Sequence, residues 1–156
     1  MAAPTISTVI LTGALIVVIF AVQVFYFRVV DNVWAEMVKK ELKEVADYTA
    51  DTIANLYFLA NSTSASSLLE KSLNLPVEIQ GARFTLEIIR NNATGYAQSV
   101  KAVSLKGSWL NVNSWLPPGL MVNGTRTQIV QSGHGTVVTG CQPVSSKTYV
   151  WIAYKG

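Results

Sequence analysis

An uncharged apolar segment near the start of the chain limits what this sequence can fold into. No charged side chain occurs between Ala2 and Phe27, and from Thr5 onward the residues are mainly Ile, Val, Leu, Ala and Phe. As a helix, Thr5–Phe27 would be about 35 Å long at ~1.5 Å per residue, slightly longer than the ~30 Å hydrocarbon core of a bilayer. The segment therefore predicts a helix that lies in a membrane or in an equally apolar environment.

The helical pattern continues beyond this segment. After Arg28, apolar side chains recur at helical spacing with charged residues between them. We therefore expect one helix from about Thr5 to about Ala60. Its last turns, beginning at Ile53, are apolar on almost every side, so we expect them to be buried on more than one face. A simple membrane anchor would not need this second half.

A hinge and a β-rich head are predicted after the helix. Residues 61–67 are polar and rich in serine, as linkers are. A short helix is expected at 67–73, and beyond Pro76 the apolar period changes to two, which indicates strands. We expect the helix at 1–60, the hinge at 61–67 and a small antiparallel β-sandwich head at 68–156 that folds by itself, giving an α+β protein. Strands are expected at 77–80, 84–88, 96–105, 109–115, 127–131, 136–142 and 148–154.

Charge is divided unevenly along the chain. Between Asp31 and Asp51 there are six acidic residues and three lysines, whereas no acidic residue follows Glu87 and six basic ones do. We expect the acidic shaft of the helix to meet the basic head, within or between subunits, although a merely solvated surface would give the same pattern. The basic residues are scattered singly along the sequence, so a nucleic-acid partner is not expected.

Residues for catalysis or metal binding are few. His134 is the single histidine and is expected in an exposed turn, and Cys141 is the single cysteine, which excludes an internal disulfide. Glu78 and Glu87 would form a carboxylate pair only by accident of sheet register. We therefore expect no enzymatic activity, no metal site and no cofactor.

Three acceptor patterns for N-glycosylation occur at Asn61, Asn92 and Asn123, in segments predicted to be loops. They favour a head outside the cell. The basic residues that follow the apolar segment, beginning with Arg28, favour the opposite orientation by the positive-inside rule. A basic leader removed before this sequence begins would resolve the conflict, so we expect Met1 to be a processed, mature end.

Several residues of the apolar segment suit contact with other helices. Gly13 would let a neighbouring backbone approach closely, Gln23 carries an amide that favours a partner across helices, and Phe27 and Trp34 resemble part of an interfacial aromatic belt. The candidate helix-packing residues are Pro4, Ile6, Ile10, Gly13, Ile16, Phe20, Gln23, Phe27 and Trp34.

The start from Pro4 to Ile10, which runs into an apolar and then amphipathic helix followed by a β-rich head, resembles the archaeal type IV pilin-like superfamily. That superfamily comprises adhesive pili, archaellum filament proteins and pilin-like accessory proteins of the archaellum motor. The architecture of the whole chain is similar, and the sequence is similar to about Phe27. The glutamate that bacterial relatives carry near the start is absent, and Thr5 lies in that region.

The resemblance implies a mature helix that bundles with its copies in a filament core. We therefore expect a structural subunit of an extracellular type IV pilus-like filament, adhesive in function and membrane-inserted before assembly. Its expected partners are further copies of the chain and other cell-surface proteins. The alternative is a single-pass, membrane-anchored β-sandwich accessory protein of the archaellum stator type.

Overall fold

The computed structural model describes residues 3–62 and 68–156, with side chains from Ile6 onward. Within these residues, one helix, α1 (Ala3–Ser62), precedes eight strands. The predicted fold class is confirmed, because a long N-terminal apolar helix is followed by two small, mostly antiparallel sheets. The strands are β1 (Leu69–Leu73), β2 (Phe84–Arg90), β3 (Ala97–Ser104), β4 (Asn111–Trp115), β5 (Leu120–Val122), β6 (Val130–Gln131), β7 (Val137–Val144) and β8 (Lys147–Tyr154).

The strands form two four-stranded sheets. One has the order β1-β7-β8-β5 and the other β4-β3-β2-β6. Neighbours are antiparallel except for β5 and β8, which run parallel from Leu120↔Thr148 to Val122↔Val150. The two sheets approach each other at Tyr96, just before β3, which forms an isolated bridge with Met121 of β5.

The chain divides into two compact units, Met1–Glu36 and Met37–Gly156. The first, called here the N-terminal segment, is described as helix from Ala3 onward. The second, called here the head unit, contains the rest of α1 and both sheets. This division differs from the predicted one, which began the head at residue 68.

The reason lies in the amphipathic second half of α1. Its apolar residues at spacings of three and four, among them Val38, Leu42 and Ile53, are fully buried in the head unit. The helix meets both sheets: the Cys141 thiol of β7 donates to the Ile53 carbonyl at 3.9 Å, and the Ser114 hydroxyl of β4 donates to the Asp47 carboxylate at 2.6 Å. The helix therefore completes the core of the β-rich head.

The prediction of a short helix at 67–73 is wrong. Leu69–Leu73 forms β1, an edge strand that pairs antiparallel with β7 from Leu69↔Cys141 to Leu73↔Val137. The local sequence has good helix formers. Pairing with β7, however, gives backbone hydrogen-bond partners along five successive residues and buries Leu73. Tertiary context therefore overrides local propensity here.

The predicted strand at 77–80 is also wrong. Its end enters a tight turn in which Gln80 and Gly81 both have positive φ, 49° and 69°, and the amides and carbonyls of Ile79 and Ala82 bond reciprocally at 2.8 and 2.9 Å. The turn brings the Gln80 amide to within 2.5 Å of the Glu41 carboxylate on α1.

The remaining predicted strands are present with shifted ends. The strand at 127–131 shortens to β6, because the Thr127 and Gln128 amides bond to the Asn123 and Ile152 carbonyls instead of to β2. β5 was not predicted. At the other end of the helix, Asn61 and Ser62 of the predicted hinge are helical, and the rest of that hinge lies outside the described residues.

Candidate assembly surface

The N-terminal segment presents apolar side chains on all its sides. Of the described residues, one helix is long and apolar enough to cross a bilayer, and none of its most apolar stretch is buried. The large exposed apolar residues include Ile6, Val9, Leu11, Leu15, Val17, Phe20, Val24, Phe25, Tyr26 and Phe27. Such a surface needs an apolar partner, either lipid or protein.

Eight of the nine predicted helix-packing residues lie on one side of this segment. At ~100° per residue, the positions from Ile6 to Trp34 fall within a sector of about 140°. All are exposed except Trp34, which is half-buried. These eight are Ile6, Ile10, Gly13, Ile16, Phe20, Gln23, Phe27 and Trp34. Pro4 lies in the first turn of α1 and is described by its backbone alone.

Two features on or beside this face suit close contact with another helix. A Cβ atom built on Gly13 meets nothing within 4 Å, so the space beside that glycine is open to a neighbour. The Thr12 hydroxyl donates to the Thr8 carbonyl at 2.8 Å, so it can enter an apolar environment already hydrogen-bonded. The exposed Gln23 amide would need a polar partner in the same environment.

The head unit has an apolar surface of its own on the helix. Away from the buried face of α1, Met37, Tyr48, Phe58 and Leu59 are exposed, with charged residues between them in the sequence, and Phe58 keeps 63% of its surface accessible. We call these four residues the outer stripe. In the last helical turns, Ile53 and Leu56 are buried against the head, whereas Phe58 and Leu59 are exposed. The expected burial of a second face by something outside the head stays a prediction.

One acidic residue of the shaft, Asp47, has several polar partners within the head unit. Asp47 accepts from the Lys43 ammonium at 2.7 Å and from the Ser114 hydroxyl at 2.6 Å, and Lys43 also donates to the Asn113 carbonyl at 2.9 Å. Partial burial raises the pKa of Asp47, but the bonds from Lys43 and Ser114 and the charge of Lys43 outweigh it, so the pKa lies below its ordinary value. The shaft and head are therefore joined by hydrogen bonds around Asp47.

The three glycosylation patterns lie in different surroundings. Asn92 is exposed in the turn between β2 and β3, as predicted. Asn123 is half-buried, and its side-chain oxygen accepts from the Thr125 hydroxyl at 2.7 Å and from the Thr125 amide at 3.2 Å. Asn61 was predicted in a loop, but it is exposed in the last turn of α1, where the Thr148 hydroxyl lies 3.4 Å from its side-chain oxygen.

The single cysteine and the single histidine have different surroundings. Burial raises the pKa of the Cys141 thiol to about 12, and His134 is exposed in the turn before β7. Within residues 3–62 and 68–156, no group of three or more His, Cys, Asp or Glu side chains is placed to hold a metal ion.

Sequence reasoning expected uncovered apolar side chains in the helix end that includes Phe58 and Leu59, but it did not find Met37 and Tyr48 of the outer stripe. A helical projection could have found these two once the buried face is known. Sequence reasoning also missed a second surface. The second surface surrounds Trp115, and no sequence pattern marks it, because it depends on the meeting of the two sheets near Tyr96.

No protein-family model, curated protein or solved structure matches this chain significantly. The resemblance to archaeal pilin-like proteins therefore stays a prediction from the sequence.

Proposed function

We propose that the protein is the structural subunit of an extracellular type IV pilus-like filament with an adhesive function. In this proposal the N-terminal segments of many copies bundle in the filament core, and the head units lie outside. The observation that carries the proposal is the N-terminal segment itself, whose most apolar stretch has no buried residue within the chain.

The energy available for such bundling is large. Soluble monomers rarely expose apolar patches larger than a few hundred Å². Burying apolar surface stabilises by roughly 25 cal/mol per Å², so the segment is the largest source of assembly energy that the chain offers. Before assembly, the same surface would be covered by lipid, which accounts for a membrane-inserted precursor.

The alternative function is a membrane-anchored accessory protein, in which lipid covers the N-terminal segment permanently. The outer stripe favours the filament over this alternative. Tyr48 and Phe58 belong to the head unit and follow the uncharged stretch that ends at Phe27 by more than twenty residues. A bilayer spanned by residues up to Phe27 would leave both side chains in water, whereas neighbouring subunits in a filament could cover them.

The experiment is to shear surface filaments from cells that make the protein and to examine them by electron microscopy and mass spectrometry. Gly13→Leu adds four carbons where helices could come closest, so it should abolish or shorten the filaments. Gly124→Leu is the matched control, because a Cβ at Gly124 meets only the tip of Arg90, at 3.9 Å. We expect this variant to assemble normally.

Two outcomes would contradict the proposal. In the first, the protein is found only as a monomer in the membrane fraction, which would favour the accessory protein. In the second, Gly13→Leu and Gly124→Leu assemble equally well, which would mean that the N-terminal segments do not form the filament core.

A further inference from the structure

A groove in the head unit lies where the two sheets meet. It is lined by the turn between β2 and β3, the end of β4 and the loop that follows β4, and its volume is about 560 Å³. Volumes of several hundred Å³ are typical of small-molecule sites. Its lining includes the side chains of Asn91, Thr94, Tyr96, Gln98, Trp115 and Pro118.

The groove is held open by backbone hydrogen bonds. The Asn91 amide donates to the Tyr96 carbonyl at 2.9 Å, and the Gly95 amide donates back to the Asn91 carbonyl at 2.8 Å. On the other wall, the Leu116 amide donates to the Gln98 carbonyl at 3.1 Å. Both walls are therefore fixed before any ligand arrives.

Two aromatic side chains are exposed in this groove. Trp115 keeps 71% of its surface accessible and Tyr96 keeps 43%, although both rings are large apolar groups that normally lose most of their surface on folding. Trp115 has this exposure because it ends the edge strand β4 on the face opposite Ser114, whose side chain points to the helix. An indole and a phenol presented together offer flat apolar faces and a polar N–H or O–H at the rim.

The polar groups around the rings are all neutral. Among the described residues that line the groove, none carries a charge. The Asn91 side-chain oxygen is held by the Ala93 amide at 2.9 Å, so its amide nitrogen is the part that can donate to a ligand. Gln98 supplies a further amide with both donors and an acceptor, and Thr94 supplies a hydroxyl.

We propose that this groove binds a neutral oligosaccharide presented by another surface. A sugar ring has an apolar C–H face that can pack on Trp115 and hydroxyl groups that pair with amides such as Gln98. A charged ligand would lose its hydration without gaining a charged partner in the groove. The site goes beyond the filament role and does not depend on it, since it lies wholly within residues 91–119 of the head unit.

The test uses the full chain, made in a host that adds no N-linked glycans and kept in a detergent without a sugar headgroup. Binding is measured on an array of neutral and acidic oligosaccharides and then by titration with the best neutral ligand. Trp115→Ala should weaken binding at least tenfold. Trp109→Ala is the matched control, because Trp109 is 62% exposed but lies outside the groove, with the Lys39 ammonium 5.6 Å from its ring centre.

Gln98→Ala should weaken binding less than Trp115→Ala, because it removes hydrogen bonds and leaves both rings. Circular dichroism shows whether each variant is folded. If Trp115→Ala fails to fold, Gln98→Ala together with Tyr96→Phe provides the test, because each removes polar groups and keeps the ring scaffold.

Several results would overturn the proposal. They are binding to no neutral oligosaccharide at millimolar concentration, binding to acidic ligands alone, and equal weakening by Trp109→Ala and Trp115→Ala. A further result would be that protein taken from its own cells binds oligosaccharide only after Asn92→Gln. The groove would then be occupied by the chain's own glycan, which would also overturn the proposal. Filament loss in Gly13→Leu leaves this measurement unaffected, so the two proposals fail separately.

Discussion

The two halves of α1 have opposite surroundings although they belong to one helix. In the N-terminal segment, large apolar side chains are exposed on every side, as Leu15 is at 61%. In the head unit, the helix has one apolar face that is buried against both sheets, with Leu42 at 0%. The first half therefore depends on a partner outside the chain, while the second half takes its partner from the chain itself.

This contrast separates two sources of stability. The head unit carries its own core, built from α1 and eight strands, so it can be stable as a monomer. The N-terminal segment has no comparable core within the chain, and its exposed apolar surface is of the kind that lipid or neighbouring helices cover. The outer stripe lies between these cases, because it belongs to the folded unit yet leaves Phe58 exposed.

The largest predicted effect is that of removing the second half of α1 from the head. A chain of residues 37–156 should fold as a soluble β-rich protein, whereas residues 68–156 should not fold cooperatively. The shorter chain would lose the buried face that includes Val38, Leu42 and Ile53, and so would open the core between the sheets. Urea unfolding followed by near-ultraviolet circular dichroism distinguishes the two.

A cooperative transition of residues 68–156 with the midpoint of the longer chain would contradict this prediction. It would also restore the sequence-based expectation of a head that folds without the helix.

A matched pair of leucine substitutions measures the contrast at single residues. Leu42→Ala should lower the free energy of unfolding of the head unit by about 2–5 kcal/mol, because it removes a fully buried side chain. Leu15→Ala should leave that free energy unchanged and act only on assembly. Both are measured by urea unfolding of the full chain in detergent. Equal effects on unfolding would mean that the two halves do not differ as described.

A pair of glycine substitutions tests the same contrast by the room that each site leaves for an added side chain. A Cβ at Gly140 would lie 2.8 Å from the Leu69 carbonyl oxygen and would collide with the ring of Trp151 on the paired strand. Gly140→Ala should therefore cost the head unit roughly 1–3 kcal/mol. Gly13→Ala has open space and lies outside the head unit, so it should leave the unfolding of the head unit unchanged. Thermal unfolding of both variants beside the parent chain measures the difference, and a neutral Gly140→Ala would contradict it.

How far the sequence predicts this structure depends on the range of the interactions. The helix is found from periodicity, and β2, β3, β7 and β8 are found from alternation, because both patterns are local. β1 is not, since Leu69–Leu73 becomes a strand only by pairing with β7 far along the chain. β5 has three residues, too few for a pattern, and its partner β8 is parallel to it.

The candidate surfaces show the same division. The apolar N-terminal segment is visible in the sequence because every residue contributes to it. The groove at Trp115 is not visible, because it needs Tyr96 and Gln98 to be brought beside Trp115 by the order β4-β3-β2-β6. The tight turn at Gln80 was missed as well, because glutamine is an unusual residue at positive φ.

The smallest predicted effect concerns the polar bonds between the shaft and the head. Asp47 has a pKa below the ordinary value of 3.8 in the folded protein, so its charged form stabilises the fold. This contribution is fully present above pH 3.8 and is lost as the pH falls through the lower folded pKa.

Because the Asp47 and Lys43 side chains are nearly half exposed, we expect Asp47→Asn to cost under ~1 kcal/mol at neutral pH. The cost should vanish in acid, where the parent chain has lost the same charge. Glu44→Gln, which removes a carboxylate at an exposed position on the same helix, is the control and should leave the free energy of unfolding at neutral pH unchanged. Urea unfolding of residues 37–156 between pH 2 and pH 7 measures all three chains, and a cost of Asp47→Asn that persists at the acid end would show that the Asp47 charge has no part in it.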